Sequence, residues 1–241
     1  MIAALPMYDR PELRAETDAL WAAIRDALRR RGIDAPEALT RDRDPWAVWT
    51  DPGLVFAQTC GLPFRARLHG TVSLVATPDF ALPGCPAGHY NSVVLARDGR
   101  LPPRPRLAVN DPLSQSGWAA LHAWMGGRGI APGPVTLTGS HAASARAVAT
   151  GAADLAAIDA QTWRLLLRFD GADAGLEIDR TAPTPALPYV TAATRDPGPI
   201  RAALAEALAA LPPATLSALG LRGVVEIGAD AYRAVPIPPN P

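Results

Sequence analysis

The chain has no lysine. All 23 of its basic residues are arginine, they are balanced by 23 acids, and the formal net charge is zero. With alanine and proline abundant, this choice of base marks a GC-rich genome more than a function. The charges of both signs are interspersed, which excludes a nucleic-acid stripe and a polybasic membrane patch. No apolar run approaches the length needed to span a bilayer. Two cysteines, Cys60 and Cys85, and four histidines show no metal-ligand spacing, which argues against a structural metal. The opening Met1-Ile-Ala-Ala-Leu-Pro-Met-Tyr-Asp9 has no positive n-region and no cleavage site, so it reads as a first strand and not as a signal peptide. A cysteine pair points to an oxidising compartment, the N-terminus to the cytoplasm, and the residues leave both open.

What the chain does have is length enough, at 241 residues, for one large domain or two smaller lobes. Its most informative stretch is Leu107-Ala-Val-Asn-Asp-Pro-Leu-Ser-Gln-Ser-Gly-Trp118. This reads as a short buried strand, a turn at Asp111-Pro112, and a helix opening at Ser114–Gly117. The first amides of such a helix lack intrahelical acceptors, and the positive end of the helix dipole lies behind them. Ser114 and Ser116 flank the opening, and Gly117 offers close approach to the backbone, so a small anion is the expected guest. The plainer alternative is an ordinary serine-capped helix.

Elsewhere, Pro11–Arg31 has helical spacing, with Leu13, Leu20, Trp21, Ile24 and Leu28 on one face and Gly32 at the end. Leu54–Gln58, Thr71–Ala76, Ser92–Arg97, Val135–Thr138, Ala153–Asp159, Leu176–Asp179 and Pro185–Ala192 read as strands. Thr162–Leu167 and Arg201–Leu211 read as helices. Strands alternating with helices predict an α/β fold with largely parallel sheets, whose ligands bind beyond the carboxyl ends of the strands. Tyr8, Asn110, Ser140 and Asp159 all fall at or just past such ends.

The order and spacing of four segments resemble the substrate-binding proteins of phosphate, phosphite and phosphonate ABC importers, the PhnD-like family. The segments are Asn110-Asp-Pro-Leu-Ser-Gln-Ser-Gly117, Gly139-Ser-His-Ala-Ala-Ser-Ala-Arg-Ala-Val148 leading to Ala153–Asp159, Gln58–Phe64, and Tyr90–Arg97. The resemblance implies a two-lobed type II periplasmic-binding fold, each lobe a mostly parallel sheet flanked by helices, joined by two crossover strands. Placing the crossovers at Val93–Arg97 and Pro185–Val190 gives lobe one as 1–97 plus 188–241, lobe two as 98–187, and a ligand cleft between them. The family's ligand set maps onto Tyr8, Tyr90, Ser114, Ser116, Gly117, Ser140, His141 and Asp159.

The implied function is capture of a small oxyanion for an ABC importer by a monomer that needs no cofactor, nucleic acid or membrane insertion, with a permease as partner. A protonated His141 would supply a charge-assisted bond and a pH-dependent affinity. The carboxylate of Asp159 would favour a ligand carrying an amine or an acidic P–O–H proton. In this reading Cys60 and Cys85 share a lobe and pair as a disulfide. The alternatives are a cytoplasmic enzyme or a ligand-sensing module on the same fold. Ser114 or Ser140 with His141 and Asp159 would be the catalytic set, but there is no nucleophile elbow, and adjacent Ser140 and His141 diverge. A sensor would need a DNA-binding or signalling segment that the chain does not show.

Overall fold

A computed structural model describes residues 1–171 and 175–241. Its strands, in chain order, are β1 (Ile2–Ala4), β2 (Leu54–Gln58), β3 (Val72–Asp79), β4 (His89–Tyr90), β5 (Ser92–Ala96), β6 (Leu107–Val109), β7 (Val135–Leu137), β8 (Leu155–Asp159), β9 (Leu176–Arg180), β10 (Thr184–Pro185), β11 (Tyr189–Ala192) and β12 (Gly223–Val225). The helices are α1 (Arg14–Arg30), α2 (Pro45–Trp49), α3 (Gly61–Pro63), α4 (Ala120–Gly126), α5 (His141–Ala149), α6 (Ala160–Phe169), α7 (Pro197–Ala210), α8 (Pro213–Leu219) and α9 (Ala229–Arg233). The chain forms two compact units: unit 1 is Met1–Ala81 with Pro185–Ala234, and unit 2 is Leu82–Thr184 with Val235–Pro241.

Unit 1 is built on a sheet of order β1-β2-β11-β3-β12. β1 and β2 are parallel, whereas β11 pairs antiparallel with both β2 and β3, and β12 antiparallel with β3. The expectation of mostly parallel neighbours therefore fails here, because the returning strand β11 inserts reversed between β2 and β3. Leu20, Trp21, Ile24 and Leu28 form the buried stripe of α1, as their spacing predicts. Each contributes about 1.5–3 kcal/mol through removal of apolar surface from water. Trp21 stacks on Phe56 of β2 at 6.3 Å between ring centroids, and Phe56 on Tyr189 of β11 at 5.0 Å. Gly32 ends the helix with φ of 71°, a left-handed conformation that needs no Cβ.

Unit 2 has a sheet of order β7-β6-β8-β5-β9. β7, β6 and β8 run parallel, so their carboxyl ends share one edge. β5 runs against β8 in unbroken register from Ser92↔Asp159 to Ala96↔Leu155, and it also pairs with β9. Val93, Val94 and Leu95 are fully buried, as suits a strand covered on both faces. This places Ser92–Ala96 inside the second sheet, where the sequence reading had a crossover. The first unit boundary accordingly falls at Ala81/Leu82 and not after residue 97, and the second at Thr184/Pro185 and not after 187. Val235–Pro241, expected in lobe one, belongs to unit 2, where the Trp118 indole Nε1 donates to the Pro239 carbonyl at 2.8 Å.

The same boundary overturns the expected disulfide. Cys60 lies in unit 1 and Cys85 in unit 2, and no disulfide joins them. Cys60 stands just ahead of α3, while Cys85 sits in a turn closed by its amide to the Leu82 carbonyl at 3.1 Å. Burial pushes the Cys85 thiol above its ordinary value, so it stays protonated.

Candidate functional site

The site grows from the carboxyl ends of three parallel neighbours, β7, β6 and β8. β6 stops at Val109 because Asp111-Pro112 turns the chain: the Asp111 carboxylate accepts from the Leu113 amide at 2.6 Å, and its carbonyl from the Ser114 amide at 3.0 Å. Ser114 then takes an extended backbone, and its Oγ accepts from the Gly117 amide at 2.9 Å, a serine N-cap. The first turn, Gln115–Ala119, is π-helical, and it runs on directly as α4. The Ser114 carbonyl receives both the Trp118 amide at 3.1 Å and the Ala119 amide at 3.0 Å. Such widened turns concentrate at functional sites.

α5 begins in the same way after β7. Ser140 caps it, accepting from the Ala143 amide at 3.1 Å, and Thr138 Oγ1 meets Ser144 Oγ at 2.6 Å to fix the entry. His141 is the first helical residue. Its Nε2 lies 2.9 Å from Ser116 Oγ, and Ser116 Oγ lies 3.4 Å from Ser114 Oγ. The Ser116 carbonyl accepts from Ser92 Oγ at 3.0 Å, so β5 braces the wide turn from the neighbouring strand. After β8, Asp159 caps α6 by accepting from the Thr162 amide at 2.8 Å. Three capped helix starts thus lie along one sheet edge, the place where α/β sheets bind ligands.

Burial pushes His141 down to about 4, and an opposing, smaller effect of the Ala157 backbone acceptor raises it. The ring is therefore neutral at pH 7, contrary to the expected imidazolium. Gly117 also differs from expectation. A Cβ there would fall 1.8 Å from Asn110 Oδ1, so the open side of the glycine is filled by the Asn110 carboxamide and not kept for a ligand. That oxygen is buried and receives no hydrogen bond, an uncommon condition for a carbonyl. Asp159 is 2% exposed and engaged as a helix cap, so its carboxylate is withdrawn from the surface where the ligand contact was expected.

Of the eight residues expected at the site, Ser114, Ser116, Gly117 and His141 form one contiguous cluster. Ser140 and Asp159 stand at the same sheet edge as caps. Tyr90 is almost fully buried, and it belongs to unit 2 and not to the first lobe. Tyr8 is in unit 1, half-buried, with its ring edge-on to Phe80 at 5.1 Å. There it lines a small cavity with Leu20, Gln58, Tyr189 and Leu221. Two contributors, Asn110 and Ser92, were not in the expected set. Asn110 carried a signal, a polar residue directly after a buried strand, but Ser92 carried none.

Comparison with known proteins agrees with this architecture. XAC2383 from Xanthomonas citri, solved bound to chloride, matches with a TM-score of 0.71 at 16% identity, over 98% of this chain and 94% of that one. PhnD1 from Prochlorococcus marinus, solved with methylphosphonate, matches at 0.69 and 14% identity, over 97% and 95%. A binding-protein component of an ABC phosphonate transporter from Pseudomonas aeruginosa matches at 0.67 and 16%, over 96% and 82%. A search of curated proteins gave no match.

At these identities the likeness defines the fold, that of the α/β periplasmic binding proteins. Residues 100–232 match the family model described as ABC transporter, phosphonate, periplasmic substrate-binding protein. The chain belongs to that family of substrate-binding proteins.

Proposed function

We propose that the protein captures a small phosphorus oxyanion, of the phosphonate, phosphite or phosphate type, and presents it to an ABC importer. The observation that carries this reading is the Ser114–Ser116–His141 cluster, joined through the 2.9 Å contact between Ser116 Oγ and His141 Nε2 at the carboxyl edge of parallel strands. Hydroxyls and backbone amides hold an anion without burying a full counter-charge, which limits the desolvation cost. Ser140 and Asp159 shape the rim of this seat through their helix caps. Tyr90 belongs to the same unit as this seat, and Tyr8 is kept in the proposed ligand set. The methylphosphonate bound by the Prochlorococcus relative has the chemistry that this seat suits.

The test is thermal denaturation against phosphate, phosphite, methylphosphonate, 2-aminoethylphosphonate, sulfate and common carboxylates. A ligand at about 100 times its dissociation constant stabilises by about 2.7 kcal/mol. A rise in midpoint with one phosphorus oxyanion, lost in Ser116→Ala, is the expected result. A rise only with carboxylates would displace phosphorus from the reading.

A further inference from the structure

We infer that Trp118 is a positioning residue of the anion seat. Its indole N–H donates to the Pro239 carbonyl at 2.8 Å, and this bond holds the wide turn Gln115–Ala119 in the register that presents Ser116. The role rests on the solute-binding reading above, and it makes the segment Val235–Pro241 part of the seat's support.

The backbone of the turn does not choose its own register. The Ser114 carbonyl receives the Trp118 amide at 3.1 Å, a bond of the α type, and the Ala119 amide at 3.0 Å, a bond of the π type. The next carbonyl, that of Gln115, accepts from the Ala120 amide, again of the π type. The two registers aim side chains differently. Successive residues of an α-helix are turned by about 100°, so closing the turn to the α register would swing Ser116 by about that angle relative to α4. Its Oγ would then leave His141 Nε2, which lies 2.9 Å away in the wide form. A restraint outside the helix backbone has to select that form.

Two side-chain bonds supply it. Ser92 Oγ of β5 donates to the Ser116 carbonyl at 3.0 Å and fixes that peptide. Trp118 fixes the far end of the turn. Its side chain is 3% exposed and packed in the core of unit 2, so its N–H cannot exchange its acceptor for solvent. A buried indole N–H left without an acceptor bears its full desolvation penalty. A change to the α register would carry the ring away from Pro239, so that penalty falls on the narrow form alone.

The segment that offers the acceptor suits a standing contact. It carries Pro236, Pro238, Pro239 and Pro241. Proline fixes φ and has no N–H, so the segment is extended before it docks, loses little entropy on docking and joins no sheet ladder. It also follows closely on a firm anchor in unit 1. Tyr232 is 1% exposed there, and its hydroxyl donates to the Ala186 carbonyl at 2.7 Å and lies 2.7 Å from Thr77 Oγ1. A short tether from that anchor keeps the Pro239 carbonyl at a high effective concentration for Trp118.

Trp124 is the matched control. It belongs to the same core, and its indole donates at 2.8 Å to Asp179 Oδ2 on β9, not to the C-terminal segment. The experiment is isothermal titration of phosphate, phosphite and methylphosphonate into wild type, Trp118→Phe and Trp124→Phe. The anion that wild type binds most tightly should bind Trp118→Phe about 3- to 10-fold more weakly, the loss of one net hydrogen bond. Trp124→Phe should stay within about twofold of wild type. Both variants lose an indole bond, so a merely structural role would lower both thermal midpoints and separate neither affinity from wild type. Pro236→Gly, Pro238→Gly and Pro239→Gly together loosen the segment without shortening it and should weaken binding over the same range. Added to Trp118→Phe they should cost nothing further, because both changes act through one bond. Wild-type affinity in Trp118→Phe, an equal loss in Trp124→Phe, or additive losses in the combined variant would each overturn the proposal while leaving anion binding intact. If Trp118→Phe fails to fold, the glycine variant decides, and unchanged affinity there overturns the proposal. Silence of wild type with all three anions would overturn the solute-binding reading itself, and this role with it.

Discussion

The two units contain the same unusual backbone device and use it differently. In unit 1, β2 leads into α3 and then a π-helical turn at Phe64–Leu68, and in unit 2, β6 leads into the π-helical turn at Gln115–Ala119. The first turn carries Phe64 and Leu68 into the core, and Arg65 is buried as well. Phe64 is 1% exposed and meets the rings of Tyr232 at 5.4 Å and His69 at 6.2 Å, and Cys60 ahead of it makes no side-chain cap. The second is opened by a serine cap and lined by Ser116, which reaches His141. A widened turn after a strand thus supplies a place for a side chain and nothing more. Whether that place joins the core or a polar cluster depends on which side chain occupies it.

The changes below would break or sharpen this contrast. Phe64→Ala should cost about 3–5 kcal/mol of unfolding free energy, read by denaturant titration, with anion affinity unchanged where the protein remains folded. Gly117→Ala forces a methyl into Asn110 Oδ1 and should cost about 1–3 kcal/mol and abolish anion binding. Gly126→Ala, where a Cβ meets nothing within 4 Å, is the control and should leave both unchanged or slightly improved.

A pH gradient comes next. The folded pKa of His141 is depressed to about 4 from 6.5, so its contribution is complete above about pH 6.5 and is lost as pH falls toward 4. The slope is at most about 1.4 kcal/mol per pH unit, and it should disappear from that window in His141→Gln. Smallest is Ser114→Ala, about 1 kcal/mol from the lost cap, measured as a shift in thermal midpoint. The same substitution at Cys60, which caps nothing, should shift the midpoint less.

Much of this architecture was legible in the residues, and the gaps have identifiable causes. α1 and β2 follow from periodicity, because a stripe such as Leu20, Trp21, Ile24 and Leu28 has only one way to be buried. The helix cap at Ser114 was legible because capping is local chemistry within four residues. Ser92–Ala96 was located as a strand but assigned to the crossover. A continuous apolar run fits any doubly covered position, and only long-range pairing with β8 decides which. The wide turn at Gln115–Ala119 was not visible, since a shift from i+4 to i+5 bonding over one turn leaves no mark on hydrophobic spacing. The lack of a disulfide was missed because the unit boundary falls between Cys60 and Cys85. The charge of His141 was misjudged because the burial that lowers its pKa comes from tertiary packing, which local sequence does not display.

The way the chain is divided between its units has a consequence for synthesis on the ribosome. All five strands of the unit 2 sheet are made before β11, the strand that closes unit 1 between β2 and β3. The inserted unit can therefore condense first, while Met1–Ala81 waits with the β2 and β3 edges that β11 will occupy still unpaired. Yet the indole of Trp118, in the wide turn of the seat, finds its acceptor only when Pro239 emerges. Vectorial translation thus gives this protein an early sheet and a late last bond, and nascent-chain protection at Trp118 should be acquired after protection of β5 and β8.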